Sequence, residues 1–253
     1  MSTTALSTTF KVHLIDRREV AEQTTAFMFE KPAEWTFKPG QFVDLTVINP
    51  PEYDAEGNTR GFSVASAPEE DLLMFATRMR DTACKRVLGS MPIGTEVQIE
   101  GPFGNLSLHT NSKRPAILLA GGIGITPFRS MVIHAAKAKL QHRIVLFYSN
   151  RRPEDAAFMA ELKTLERENP NYSFVPTMTN MESSRLAWDG ERGQIGYDLI
   201  TKYLKPFASP RFYEAGPVYY IAGPPQMVVG VRSVLVNTGV DEDDIRTEEF
   251  AGY

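Results

Sequence analysis

Residues 120–128 read AGGIGITPF, with Gly121, Gly122 and Gly124 between an apolar run and a segment of helical period. A strand, a glycine-rich turn and a helix together let backbone N–H groups approach a nucleotide. The common spacing G-x-G-x-x-G is not completed, because Pro127 stands where the third glycine belongs. Two further stretches carry chemistry. Arg60-Gly61-Phe62-Ser63 puts a guanidinium, an aromatic ring and a hydroxyl on one extended segment. Residues 77–88, TRMRDTACKRVL, run from a strand-like start into a helix start at Asp81-Thr82, with Arg80 and Lys85 nearby.

These residue types suit a flavin nucleotide. A guanidinium holds a pyrophosphate through parallel hydrogen bonds. A flat ring such as Phe62 stacks on the isoalloxazine. A serine hydroxyl both donates and accepts, so Ser63 can bond the flavin nitrogen N5 in either redox state. A helix N-terminus supplies unpaired N–H groups and partial positive charge for phosphate. The bland alternative for the arginine motif is an ordinary edge strand, and for Arg80, Lys85 and Arg86 a solvated face. Cys84 reads as a small packing residue.

The elements that must position these groups fall into two halves. Up to about residue 110, short strands separated by turn residues predict a small antiparallel β-barrel of Greek-key type, interrupted by one helix near 82–90. Beyond it, apolar runs alternate with helical segments at 125–140, 153–168, 197–204 and 224–237, which predicts an α/β domain with a parallel sheet. The expected domains are therefore 1–110 and 111–253. Among 253 residues, 27 basic and 31 acidic side chains leave a net charge of −4, which argues against bulk nucleic-acid binding. One cysteine excludes a disulfide framework and a four-cysteine iron–sulfur cluster, and the four histidines lack metal-ligand spacing. No apolar stretch is long enough to span a bilayer, and the N-terminus lacks a signal core, so a cytoplasmic protein is expected.

The ordered set of motifs is similar to the ferredoxin–NADP⁺ reductase family: GQF at 40–42, RGFS at 60–63, TRMRDTACKRVL at 77–88, PIG at 92–94, GPFG at 101–104, AGGIGITPF at 120–128, GPPQM at 223–227 and a terminal EEFAGY. The resemblance implies a barrel that binds FAD and a following domain that binds NAD(P)H. It implies that Arg60 holds the pyrophosphate beside Gly61, that Phe62 lies against the flavin and that Ser63 bonds N5. Thr77, Arg78 and Met79 would contact FAD by backbone, and the helix start at Thr82, Ala83, Cys84 and Lys85 would cap the pyrophosphate. The family often has glycine and serine where Thr82 and Lys85 stand. Its glycine turn resembles GGxGxTP, as here, so Gly121 and Gly122 would meet the nicotinamide nucleotide while Thr126 and Pro127 open a helix. Gly223, Pro224 and Met227 would form a rigid turn at the nicotinamide end.

Ser149 and Asn150 close the second strand of this half, and Arg151 and Arg152 follow. This suits a 2′-phosphate and favours NADP(H) over NAD(H) by a small margin, against which Asp155 counts. In the tail, Glu249 would serve proton supply or orientation, and Phe250 or Tyr253 would cover the flavin. Ala222 replaces a cysteine common in the family. The expected function is transfer of electrons from NAD(P)H through FAD to a separate one-electron acceptor: ferredoxin, flavodoxin or an oxygenase component. Two alternatives remain: an FAD-holding subunit of a larger complex with little NAD(P)H activity, which Ala222 favours, and a non-redox nucleotide sensor or scaffold.

Overall fold

The computed structural model describes residues 8–204 and 216–250. Six strands make the first half: β1 (Thr8–Ala21), β2 (Thr24–Glu30), β3 (Phe42–Val47), β4 (Thr59–Ser63), β5 (Leu72–Arg78) and β6 (Glu96–Phe103). They form one antiparallel sheet in the order β4-β3-β6-β1-β2-β5. A bond from Ala65 N–H to Met74 O (2.8 Å) joins the two ends of that order. Alternating side chains fill the interior, among them Leu14, Phe27, Phe29, Leu45, Phe75 and Ile99. Helix α1 (Ala83–Ser90) buries Cys84, Val87 and Leu88 against this core.

The second half is a six-stranded parallel sheet in the order β10-β9-β8-β7-β11-β12. Its strands are β7 (Ala116–Gly121), β8 (Ile144–Asn150), β9 (Tyr172–Met178), β10 (Glu191–Arg192), β11 (Val218–Gly223) and β12 (Ile245–Glu249). The middle strands are apolar throughout because helices cover both faces. The helices are α2 (Ile125–Lys137), α3 (Met159–Glu168), α4 (Tyr197–Leu204) and α5 (Pro225–Asn237).

The architecture is the predicted one, with local differences. The helix expected over 153–168 divides into a 3₁₀ turn at Pro153–Asp155 and α3, because Phe158 adopts a left-handed φ of 61°. The two-residue strand β10 had no periodic signal to announce it. The linker between halves is pinned by aromatic contacts: Tyr220 Oη lies 2.9 Å from His109 Nδ1, and His142 Nε2 lies 2.8 Å from the His109 carbonyl oxygen.

One side chain clamps the two halves. Arg129, in α2, is 1% exposed. Its guanidinium donates to both oxygens of Glu70 (2.9 and 3.0 Å), to both of Glu161 (2.6 and 2.8 Å) and to the Ala65 carbonyl (2.7 Å). All five N–H groups are thereby used. Burial pushes the Glu70 carboxyl up, but the bonds and charge of Arg129 outweigh it and hold Glu70 below its ordinary value. Ala65 and Glu70 follow β4, whereas Glu161 sits on α3, so the contact crosses from barrel to α/β domain. Beside it, Ser130 Oγ donates to the Ser66 carbonyl at 2.7 Å.

Candidate functional site

The first part of the site lies at the mouth of the barrel. Pairing of Leu45 with Arg60 and Val43 with Phe62 puts both β4 side chains on the inward face. Phe62 is 8% exposed and tilts against Phe75 with centroids 6.1 Å apart. The ring packs as a core side chain, since inward strand positions inside a small barrel are filled by packing. Arg60, two residues nearer the strand's start, reaches the rim. Its Nη1 donates to the carbonyls of Glu56, Gly57 and Thr59 at 2.8–3.0 Å. Its Nη2 faces two carboxylates, Glu56 at 2.8 Å and Asp54 at 3.4 Å.

Asp54 makes the site legible. One of its oxygens faces Arg60, and the other accepts the Ala83 N–H at the start of α1 (2.9 Å). A single anion therefore bridges the guanidinium and the helix tip. The Thr82 hydroxyl at the N-cap is buried without a partner and makes no capping bond. An anionic group resting on this cradle, beside a buried hydroxyl that it leaves unmatched, is what a phosphate-binding corner requires. The residues present fit a flavin pyrophosphate.

The other residues expected to touch FAD have partners within the protein or are buried. Lys85 Nζ donates to the Arg78 carbonyl (2.8 Å), so its ammonium is spent on the strand and not on an anion at the helix start. Cys84 is buried, and desolvation pushes its thiol up, away from thiolate chemistry. The Met79 N–H goes to the Gln23 carbonyl at 2.7 Å, and the Arg78 side chain pairs with Asp155 at 3.1 Å. Thr77 is buried on β5, the last strand in the sheet order.

The second part lies where β7 and β11 end together. A Cβ on Gly121 would overlap the Met227 sulfur, and one on Gly124 would overlap the Ala222 carbonyl. Gly122 has φ 53° and open space where a Cβ would stand. The two glycine turns thus approach more closely than other residues allow, leaving Gly122 facing open space. Thr126 Oγ1 donates to the Ile123 carbonyl (3.0 Å) and closes the turn from within. Pro224 caps α5, and the Phe250 N–H bonds the Gly223 carbonyl at 3.0 Å, which brings the chain's end to the same place. Tyr253 lies outside the described residues.

The seam between the parts carries a proton-capable pair. Ser63 Oγ donates to Glu248 Oε1 at 3.0 Å. Burial pushes the Glu248 carboxyl up, and the serine bond only partly offsets this. Glu249, the residue expected here, is exposed instead. Neighbouring residues of a strand face opposite sides, and Glu248 shares its side with Arg246, which bonds the Ser107 carbonyl at 2.6 Å. Sequence reasoning missed Glu248 because two adjacent glutamates give no clue to strand parity.

Beyond β8, Ser149 is half-buried and Asn150 buried. Arg152 is held by Asp155 (2.7 Å) and by Glu22 of the barrel (3.1 Å), so it ties the domains together and is not free for a 2′-phosphate. Arg151 is exposed. The Asp155 carboxylate is paired with Arg78 and Arg152 and is removed as a ribose acceptor. Among the described residues no histidine, cysteine or carboxylate cluster suits a metal, and no helix is long and apolar enough to cross a membrane.

An antiparallel barrel, a parallel α/β domain and a glycine turn at their seam define a ferredoxin reductase-like fold. Residues 118–233 match the oxidoreductase NAD-binding domain family. The chain is 25% identical over 231 residues to the glycine betaine monooxygenase reductase subunit of Chromohalobacter salexigens, covering 90% of this chain and 60% of that protein. It is 29% identical over 193 residues to the toluate 1,2-dioxygenase electron transfer component of Pseudomonas putida, covering 75% and 53%. The chain therefore spans roughly half to three-fifths of the length of these relatives. A ferredoxin NADP⁺ reductase from Neisseria gonorrhoeae, solved with bound FAD and NADP, has the same fold with a TM-score of 0.73 at 21% identity, covering 95% of this chain and 98% of that one.

Proposed function

We propose that the protein is a flavoenzyme that binds FAD at the barrel mouth, takes electrons from NAD(P)H and passes them to a separate electron carrier or oxygenase component. The observation that carries this reading is the Asp54 carboxylate bridging Arg60 and the Ala83 N–H. It marks a built anion site on the barrel. FAD, when bound, supplies the conversion between two-electron and one-electron transfer.

The chain's own residues would do the rest. Arg60, the Ala83 N–H and the Thr82 hydroxyl would hold the pyrophosphate. Ser63 would position the reacting edge of the flavin, and Glu248 would hold or move a proton at the Ser63 hydroxyl. The turns at Gly121–Gly124 and Gly223–Pro224 would let the nicotinamide nucleotide approach that edge, and Arg129 would fix the angle between the domains. The relatives named above are a reductase subunit and an electron transfer component of oxygenases, which supports an oxygenase or its carrier as acceptor.

Anaerobic mixing tests the function. Protein loaded with FAD should lose its yellow colour within seconds of adding NADPH or NADH. A flavin that only a chemical reductant bleaches would favour the role of electron-holding subunit, to which Ala222 points. Failure to take up FAD would remove both readings.

NADPH is the proposed preferred donor, with Arg151 as the residue that meets the 2′-phosphate. Arg151→Ala is expected to raise KM for NADPH about tenfold and to leave NADH nearly unchanged, the effect of losing one charge-assisted contact. Equal changes for both nucleotides would end that assignment.

A further inference from the structure

We propose that Asp54 is an affinity-setting residue of the flavin-nucleotide site, competing with the pyrophosphate for Arg60 and the first turn of α1. The proposal rests on the FAD reading above and adds to it a residue that opposes binding.

Asp54 lies in the loop between β3 and β4. Its Oδ1 accepts the Glu56 N–H (3.0 Å) and faces Arg60 Nη2, and its Oδ2 accepts the Ala83 N–H. Burial pushes this carboxyl up, but the backbone bonds from Ala83 and Glu56 and the charge of Arg60 outweigh it, so it is ionised at neutral pH. The two donors best placed for a phosphate are thus already engaged by an internal anion. With Glu56 also on Nη2, two carboxylates face one guanidinium. An incoming pyrophosphate meets both filled positions and unfavourable charge, and gains the cradle only as Asp54 leaves it.

The exchange is feasible because the internal anion fits imperfectly. It leaves the Thr82 hydroxyl buried and unbonded, whereas a tetrahedral phosphate has oxygens for all three donors. The 3.4 Å separation from Arg60 is long for a charge-assisted bond. The loop itself is tied to α1 by Glu52, which pairs with Arg86 at 2.6 Å, so the exchange is a rotation of the Asp54 side chain out of the cradle and not a swing of the loop. Arg60 Nη1 remains on the carbonyls of Glu56, Gly57 and Thr59, which keeps the guanidinium aimed at the site while Asp54 moves.

The test is equilibrium titration of the apoprotein with FAD and with riboflavin, followed by flavin absorbance and fluorescence. Asp54→Asn retains an oxygen for the Ala83 N–H and removes the charge, and thermal unfolding will show that the variant is folded. It is expected to bind FAD roughly threefold tighter or more, the worth of one charged competitor at a partly exposed ion pair, with riboflavin unchanged. Glu56→Gln, which removes a carboxylate not bonded to α1, should change FAD affinity less than Asp54→Asn. Unchanged or weaker FAD binding by Asp54→Asn, with wild type binding normally, would overturn the proposal. An equal gain for riboflavin would also overturn it, because the effect would not act through phosphate. If wild type takes up no FAD at all, the flavin reading itself fails.

Discussion

Arg129→Met is expected to cost about 3 kcal/mol of stability, the lower part of the range for removing one partner of a buried ion pair. The guanidinium is almost wholly buried, but Glu70 and Glu161 are 23% and 41% exposed, so water compensates part of the loss. Methionine fills much of the arginine stem's volume and leaves two carboxylates facing each other without a cation. It also strips the Ala65 carbonyl of its donor. Equilibrium unfolding in urea, read by tryptophan fluorescence, measures the effect. Trp35 sits in the barrel core and Trp188 packs on the α/β domain, so each reports one half. With the clamp gone, the two halves should unfold over a broader, less cooperative transition. A stability change below about 1 kcal/mol, the ordinary size for exposed pairs, would show that Arg129 does not hold the domains.

Glu248→Gln separates catalysis from stability. Glutamine retains the Oε1 acceptor for Ser63 and cannot take or give a proton. Turnover with NAD(P)H and an artificial electron acceptor is expected to fall on the order of a hundredfold, a typical loss for a proton-transfer group. Stability should move the other way. Burial raises the Glu248 carboxyl in the folded state, so the folded protein holds that proton more tightly than the unfolded chain. The resulting stabilisation is complete below the unfolded value of 4.5 and is lost as pH rises through the folded one. Once pH exceeds the folded value, an ionised, buried Glu248 is a burden that glutamine removes. The melting temperature of Glu248→Gln, relative to wild type, should therefore rise as pH is raised from 4. A melting-temperature difference that does not rise with pH would mean that the charge is fully compensated, and unchanged turnover would remove the proton role.

Much of the fold was legible in the chain because local chemistry dictated it. Short strands with turn residues up to residue 110, then apolar runs alternating with helical period, required a barrel followed by a parallel sheet. The glycines of AGGIGITPF fixed a tight strand–helix turn whatever lay around it, and Asp81-Thr82 marked a helix start one residue from the observed one. Arg60 and that helix start could be joined from their residue types, since each favours an anion, and the structure puts them on one carboxylate.

Tertiary structure alone decided which of two neighbouring residues meets a partner. Glu248 meets Ser63 while Glu249 faces outward, because pleat parity is set by which side of β12 packs on the barrel. Arg152 is drawn to Asp155 and Glu22 while Arg151 stays exposed, because Glu22 arrives from the other domain, 130 residues away in sequence. Phe62 fills the barrel because inward strand positions must be packed. The sequence by itself determined the elements, their order and the kinds of group at the seam, since these follow from contacts between near neighbours. The pairings of Arg129, Asp54, Ser63 and Arg152 join distant segments, and only the closed chain brings those charges within reach of each other.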